Sequence, residues 1–169
     1  MAMKRLSSDS WIEAGLTALE TRGPSALGAE TLARELGASK GSFYWHFKGL
    51  PDFHEQLAAA WKRRAATALV TVLEHDDPVS LRLQKIGQES GGETAMRAWA
   101  CENQAAAGEL AEIDQLRLNA MSAVLRDVGV SNPDIARALY GAGLGLASLP
   151  GGASDTTMAT LIDLVLALR

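Results

Sequence analysis

The segment Ala38–Lys48, with the sequence Ala-Ser-Lys-Gly-Ser-Phe-Tyr-Trp-His-Phe-Lys, constrains the fold more than any other stretch of the chain. Four aromatic side chains fall within five residues, beside serine, lysine and histidine. A buried core helix would not normally carry those polar residues, and a solvated helix would not carry so many aromatic ones. On a helix that turns about 100° per residue, Phe43 and Phe47 share one face, while Gly41 and Trp45 lie opposite. The pattern predicts a short helix that packs on a core and presents its other face to a partner.

The start of this helix is suited to an anionic partner. Ser39 is a good N-cap, because its hydroxyl can accept a hydrogen bond from the free amides of the first turn. Those amides, the positive helix end and Lys40 favour negative charge. Gly41 lacks a side chain, so a partner can approach the backbone closely. These features favour a phosphate-rich groove as the partner.

The residues before this segment predict two more helices. The first begins at a cap on Ser8 or Asp9 and ends near Thr21, and the second covers about residues 29–36. Gly37 then provides a left-handed turn before the helix over 40–46. Two helices joined by a short turn centred on glycine form the helix-turn-helix pattern.

The rest of the chain also has the periodicity of helices, so we expect an all-α fold. A long helix should run from Pro51 to about His75, followed by helices over 79–89, 93–104, 107–128 and 134–149 and a last helix from Asp155. A three-helix helix-turn-helix domain, residues 1–49, is thereby joined by the long helix to a second helical domain, residues 50–169.

Charge and composition narrow the class of protein. Residues 1–64 contain nine basic and seven acidic side chains, whereas residues 65–169 contain seven basic and thirteen acidic ones. The positive charge is therefore collected around the opening segment, as a DNA-facing domain requires. Cys101 is the single cysteine, which excludes a disulfide framework and fits a reducing cytoplasm. Without a signal peptide or a long apolar run, we expect a cytoplasmic protein with no membrane span.

Metal binding and catalysis find little support in the sequence. His46, His54, His75 and Cys101 lack ligand spacing on any one helix, so we expect no metal site. Cys101 is expected to be a buried structural cysteine. No nucleophile, base or cofactor-binding loop is arranged for chemistry. We therefore expect neither a cofactor nor enzymatic activity.

Two groups of residues in the second domain are candidates for binding. The glycines of Gly141-Ala-Gly-Leu-Gly145 favour close helix approach, and the last helix is apolar on more than one face. The candidate subunit interface is Gly141, Gly145, Ser148, Leu161, Leu164, Val165 and Leu168. A small-molecule pocket would be mostly apolar with a few polar groups, although core packing explains the same side chains. The candidate pocket residues are Trp61, Leu69, Met96, Trp99, Asn103, Asn119, Met121 and Tyr140.

The stretch from Gly23 to Phe47, above all Phe43-Tyr44-x-His46-Phe47, resembles the DNA-binding domain of TetR-type transcriptional regulators. The resemblance covers about residues 8–60. It implies a homodimer, a palindromic DNA operator and release of the DNA when a small-molecule effector enters a pocket among the middle helices. By position, Ser39, Lys40, Ser42 and Trp45 correspond to residues that meet base edges or nearby phosphates. Tyr44, His46 and Lys48 correspond to phosphate contacts, and Gly41 to the closest approach to DNA.

Two departures from the family pattern leave a second interpretation open. Gly28 and Glu30 stand where many members have a serine or threonine cap and then a basic residue. Gly49-Leu50-Pro51 replaces the frequent Ser-Lys-Glu, which removes a lysine able to contact phosphate. The first hypothesis is a TetR-like regulator, most readily a repressor. The alternative is a small-molecule sensor or interaction protein that has weakened or lost DNA binding. The sequence identifies neither the effector nor the operator, and it does not separate repressor from activator.

Overall fold

The computed structural model describes residues 6–88, 92–149 and 155–167, and within these ranges the chain forms helices and no strand. This confirms the all-α prediction. A short 3₁₀ helix, Pro24–Ala26, lies between α1 and α2. The α-helices are α1 (Ser8–Arg22), α2 (Ala29–Glu35), α3 (Lys40–His46), α4 (Leu50–Glu74), α5 (Val79–Gly87), α6 (Glu93–Ala100), α7 (Gln104–Asp127), α8 (Pro133–Ala147) and α9 (Asp155–Ala167). Among the described residues, none of these helices is long and apolar enough to cross a membrane.

The turn between α2 and α3 forms as its glycine predicts. Gly37 has φ of +61°, a conformation that costs a residue with a Cβ atom much more. The Ala38 amide donates to the Ala33 carbonyl at 2.8 Å, which satisfies an otherwise free carbonyl at the end of α2. Ser39 then caps α3, because its hydroxyl accepts from the Ser42 amide at 3.2 Å. The turn and the cap together fix where α3 begins.

Two predicted helix boundaries are wrong, and side-chain caps explain both. The cap of α1 is Ser7, whose hydroxyl accepts from the Ser10 amide at 3.2 Å, rather than Ser8 or Asp9. The junction between α6 and α7 lies at residues 101–103 instead of near Ala105–Gly108. Asn103 ends the break because its side-chain oxygen accepts from the Ala106 amide at 3.0 Å. Asparagine is a strong N-cap, so α7 starts directly after it.

The described residues fall into two compact units. The first unit lies within Met1–Arg64 and Ser90–Glu112, and the second within Ala65–Glu89 and Ile113–Arg169. In the first unit α1 contacts α2 and α6 as well as the 3₁₀ helix. Gly15 permits a close approach of α1 to α4, since a Cβ atom there would stand 2.8 Å from Cζ of Phe53. This unit therefore includes α6 and the start of α7 besides the helix-turn-helix.

The second unit is built on contacts among α5, α8 and α9. Its apolar core contains residues from α4, α5, α7, α8 and α9. The fully or nearly fully buried members are Leu69, Leu83, Ile86, Met121, Val124, Leu125, Ala136, Leu139, Tyr140 and Ile162. Several half-buried leucine and valine side chains of α9 pack against this core, which gives α9 an inner face within the second unit.

Candidate nucleic-acid interface

Helix α3 is held in the first unit by two aromatic side chains. Phe43 is 0% exposed and Phe47 is 2% exposed, as the spacing predicts. The Phe43 ring meets Trp11 with centroids 5.5 Å apart and Phe53 with centroids 5.3 Å apart, edge to face in both cases. Such pairs add to the free energy gained by burying the rings. A seven-residue helix is not stable alone in water, so these contacts determine where α3 lies.

The opposite face of α3 is open to solvent. Trp45 is 88% exposed and Tyr44 is 52% exposed, which is unusual for aromatic side chains of this size. The candidate DNA-binding residues are exposed at Ser39, Lys40, Gly41, Tyr44, Trp45 and Lys48 and half-buried at Ser42 and His46. All eight lie on α3 or at its ends, so the structure brings the whole predicted set together. Their contacts with DNA remain a prediction.

An acidic side chain caps the start of α4, directly after this surface. Asp52 Oδ2 accepts from the Lys48 amide at 2.8 Å, and Asp52 Oδ1 accepts from Nε2 of Gln56 at 2.9 Å. The hydrogen bond from Gln56, followed by that from the Lys48 backbone, lowers the pKa of the Asp52 carboxyl below its usual value. A fixed negative charge therefore stands beside Lys48, one of the predicted phosphate contacts.

The start of α2 lacks the hydroxyl cap and the basic side chain that would favour contact with a phosphate. Gly28 caps this helix without a side-chain hydrogen bond. The Glu30 carboxylate lies 3.8 Å from the Arg34 guanidinium, and both side chains are largely exposed. An exposed pair at this distance is weak. Where many TetR-type regulators have a basic residue, this chain therefore has an exposed glutamate whose negative charge is partly compensated by Arg34.

Two of the four pocket candidates of the first unit, Trp99 and Asn103, contact His54. Trp61, Met96 and Trp99 are buried. The Trp99 ring meets the His54 ring edge to face at 5.3 Å, and Asn103 Nδ2 lies 3.4 Å from His54 Nδ1. Burial lowers the pKa of His54, which favours its neutral form.

The other four pocket candidates belong to the second unit. Leu69, Met121 and Tyr140 are buried in its core. Asn119 is exposed on α7, where its side-chain oxygen accepts from Nε2 of Gln115 at 2.9 Å. Asn119 therefore does not face the interior of its unit. The eight candidates are divided between the two units, and effector binding at any of them remains a prediction.

A buried arginine in the second unit was not predicted from the sequence. Arg117 is 4% exposed, and its Nη1 donates to Tyr140 Oη at 3.3 Å. Tyr140 in turn donates to Asp114 Oδ1 at 2.7 Å. Burial, opposed by the hydrogen bond from Arg117, raises the pKa of Tyr140 to about 12, so its hydroxyl keeps its proton at neutral pH. The sequence contains a signal for this cluster, because Arg117 lies four residues from both Ile113 and Met121 on the buried stripe of α7.

The structure describes six of the seven candidate interface residues, which lie on α8, directly after it, or on α9. Gly141, Gly145 and Ser148 lie on or after α8, where Gly141 and Gly145 are exposed, and Leu164 on α9 is 58% exposed. The remaining α9 candidates, Leu161 and Val165, are half-buried against their own core, and Leu168 lies outside the described residues. The subunit interface remains a prediction.

Among the three glycines of α8, Gly143 is the one that permits a close approach of other helices of the same chain. A Cβ atom there would stand 3.3 Å from Cε of Met158 and 3.4 Å from the Gly87 carbonyl oxygen. Around Gly141 and Gly145, by contrast, no described atom outside the adjoining residues and backbone of α8 lies within 4 Å of such a Cβ position. Of the three glycines of α8, Gly143 thus packs against α9 and α5, whereas Gly141 and Gly145 face solvent.

Cys101 is exposed, so the prediction of a buried cysteine is wrong. It follows the last residue of α6, past the buried Trp99, and its Sγ donates to the Arg97 carbonyl at 3.4 Å. In the part of the chain that the structure describes, no three histidine, cysteine or acidic side chains are grouped as metal ligands would be.

Comparison with known proteins finds a family model that covers the segment containing α3. Residues 12–49 match the family model described as bacterial regulatory proteins, tetR family. No curated protein matches the chain significantly.

Solved structures share the fold along nearly the whole chain. A protein from Rhodococcus sp. assigned as a TetR-family transcriptional regulator has 20% identity and a TM-score of 0.72, over 94% of this chain and 98% of its own. A transcriptional regulator from Rhodococcus sp. Rha1 has 16% identity and a TM-score of 0.74, over 96% and 95%. A third, assigned as a transcriptional regulator of Pseudomonas aeruginosa PAO1, has 14% identity and a TM-score of 0.62, over 99% and 95%. Residues 12–49 therefore resemble the tetR family of bacterial regulatory proteins, and the chain shares its fold with three solved structures assigned as transcriptional regulators.

Proposed function

We propose that the chain is a homodimeric repressor that binds a palindromic operator through α3 and leaves it when an apolar or amphipathic small molecule binds. One observation carries the proposal: α3 is fixed by Phe43 and Phe47 while Lys40, Tyr44 and Trp45 stand in solvent on its other face. A surface of this kind is complementary to a major groove, in which a recognition helix reads base edges and neighbouring residues contact phosphate. A cytoplasmic location without enzymatic activity belongs to the same proposal.

The dimer would form through α8 and α9, for which the exposed Leu164 and the small residues Gly141 and Gly145 provide support. Two α3 helices must then enter successive major grooves, which lie about 34–36 Å apart. An effector that binds more tightly to a dimer with a different spacing lowers the population able to bind DNA. Repression would therefore be relieved without any contact between effector and DNA.

Binding to the DNA upstream of the chain's own gene, measured by mobility shift, tests this function. Lys40→Ala and Tyr44→Ala should each weaken binding by roughly 5- to 150-fold, the cost of about 1–3 kcal/mol expected for a lost contact at the interface. Raising the salt concentration should weaken binding of the unaltered protein further, because phosphate contacts release counterions. Arg126→Ala is the matched control, since Arg126 is exposed on α7 in the second unit.

Equal binding by Lys40→Ala, Tyr44→Ala and the unaltered protein would contradict the proposed interface. The second candidate function, a sensor without DNA binding, is favoured by Gly28, by the acidic Glu30 and by the Asp52 charge beside Lys48. It predicts a dimer in native mass spectrometry that retains small molecules but binds no duplex at any salt concentration. The two functions thus differ in the salt dependence of DNA binding.

Removing the charge of Asp52 should strengthen DNA binding. Asp52→Asn keeps a side-chain oxygen near the Lys48 amide but removes the negative charge, so affinity at low salt should rise roughly two- to five-fold. The same variant should lose a stabilising contribution. Because the native pKa of Asp52 is lowered, that contribution is present above its ordinary value of 3.8 and is lost as the pH falls through the native value.

Glu55→Gln is the control for Asp52→Asn, because it removes an exposed charge from the same helix one turn further along. Affinity should change less in this control. An equal gain in both variants would mean that only the net charge matters, and not the position of Asp52 beside Lys48.

A further inference from the structure

The side chains of α3 are poor in the groups that usually distinguish bases. The helix reads Lys-Gly-Ser-Phe-Tyr-Trp-His and contains no arginine, asparagine, glutamine or acidic residue. Bidentate recognition of guanine by arginine, or of adenine by asparagine or glutamine, is therefore excluded on this helix. Lys40 supplies one ammonium group for polar readout. Ser39, Ser42 and His46 can add only single hydrogen bonds, which distinguish bases less well, so an apolar contact would contribute specificity that these groups lack.

Trp45 is the most exposed large apolar side chain among the described residues, at 88%, ahead of Leu164 at 58%. One turn before it, Gly41 is exposed, and the atom nearest to where a Cβ would stand on this glycine is the Ser39 hydroxyl oxygen, at 3.7 Å. The α3 backbone can therefore lie close to a groove wall beside the indole. Burying so large an apolar surface against a partner contributes favourably to binding.

We propose that Trp45 makes the protein selective for thymine, by packing its indole on the C5-methyl group of one thymine in each operator half-site. Thymine is the base that presents an apolar group in the major groove, so it is the one such a side chain can distinguish. Lys40, on the preceding part of the same helix, is placed to bond a purine acceptor nearby. The inference rests on the proposed function, because it requires that α3 enters the major groove.

The test begins with a duplex selected from a random pool by the unaltered protein. Each thymine is then replaced in turn by deoxyuridine, which lacks only the methyl group, and affinity is measured by fluorescence anisotropy. At one symmetric position we expect a loss of roughly four-fold when the methyl group is removed from one half-site, and of roughly fifteen-fold when it is removed from both. In Trp45→Ala the same replacement should have no effect, since the partner of the methyl group is absent.

Two further variants separate this contact from others. Tyr44→Ala removes an exposed aromatic side chain from the same helix, and the deoxyuridine penalty should persist in it. Trp45→Phe keeps an apolar ring but lacks the indole N–H, so it should retain part of the penalty. Because Trp45 is exposed, circular dichroism should show that its variants are folded.

A deoxyuridine penalty of equal size in Trp45→Ala and the unaltered protein would overturn the inference while leaving DNA binding intact. Unchanged affinity at every replaced thymine would also overturn it. Equal losses in Trp45→Phe and Trp45→Ala would then indicate an indole N–H bonded to phosphate. If the unaltered protein selects no duplex, the proposed function fails, and the inference fails with it.

Discussion

Phe43→Ala should lower the free energy of unfolding of the first unit by about 3–5 kcal/mol, the range measured for large aromatic side chains removed from cores. The Phe43 ring is fully buried and contacts Trp11, Tyr44, Phe47 and Phe53 with centroids 5.0–5.5 Å apart. Its removal leaves a cavity that these rings cannot fill without leaving their positions. Because α3 is too short to be stable alone, specific DNA binding should be lost as well. Chemical denaturation and anisotropy measure the two effects.

Trp45→Ala is the matched control for Phe43→Ala, two residues further along the same helix. It also removes a large aromatic side chain, but one that is 88% exposed, so the unfolding free energy should change by no more than about 0.5 kcal/mol. DNA binding should be weakened in both variants for different reasons. Equal stability losses in the two would mean that α3 is not held by Phe43, which contradicts the division of its faces.

The helix-turn-helix could be predicted from the sequence because its signals are local. A serine cap at Ser39, a glycine with positive φ at Gly37 and two phenylalanines four residues apart each act within one or two turns of helix. A local signal also explains the wrong junction between α6 and α7. Asn103 is a polar pocket candidate in the sequence, whereas in the structure its side chain caps the start of α7. Local rules are therefore sufficient for the helices, provided that each cap is recognised.

The surroundings of the candidate binding residues in the second domain are harder to predict, because periodicity identifies a face of a helix but not its neighbours. Asn119 and Leu69 are both pocket candidates by sequence, yet one is exposed and the other is in a core. Free cysteines are usually buried, which predicts a buried Cys101. Cys101 is instead exposed, because it lies directly after the end of α6. Contacts between distant helices decide such cases, and no local pattern reports them.

Arg117→Met should lower the unfolding free energy of the second unit by about 3 kcal/mol, the lower end of the range for breaking a buried polar pair, since Asp114 is half-buried. The substitution keeps most of the volume of the side chain but removes the cation and the donor to Tyr140. Tyr140 and Asp114 then remain together without that positive charge. Arg126→Met, on an exposed site of the same helix, should change the unfolding free energy by less than about 0.5 kcal/mol.

The cost of Arg117→Met should come from the polar groups left behind and not from the loss of an attraction. Combining it with Asp114→Leu and Tyr140→Phe should therefore restore most of the stability, because an apolar replacement of a whole buried cluster is often neutral. Titration provides an independent check. The pKa of Tyr140 is raised from 10.0 to about 12, so its contribution is complete below pH 10 and is lost as the pH rises through the native value. In Tyr140→Phe this alkaline decline in unfolding free energy should be smaller. A triple variant as unstable as Arg117→Met alone would show that Arg117 acts through its packing instead.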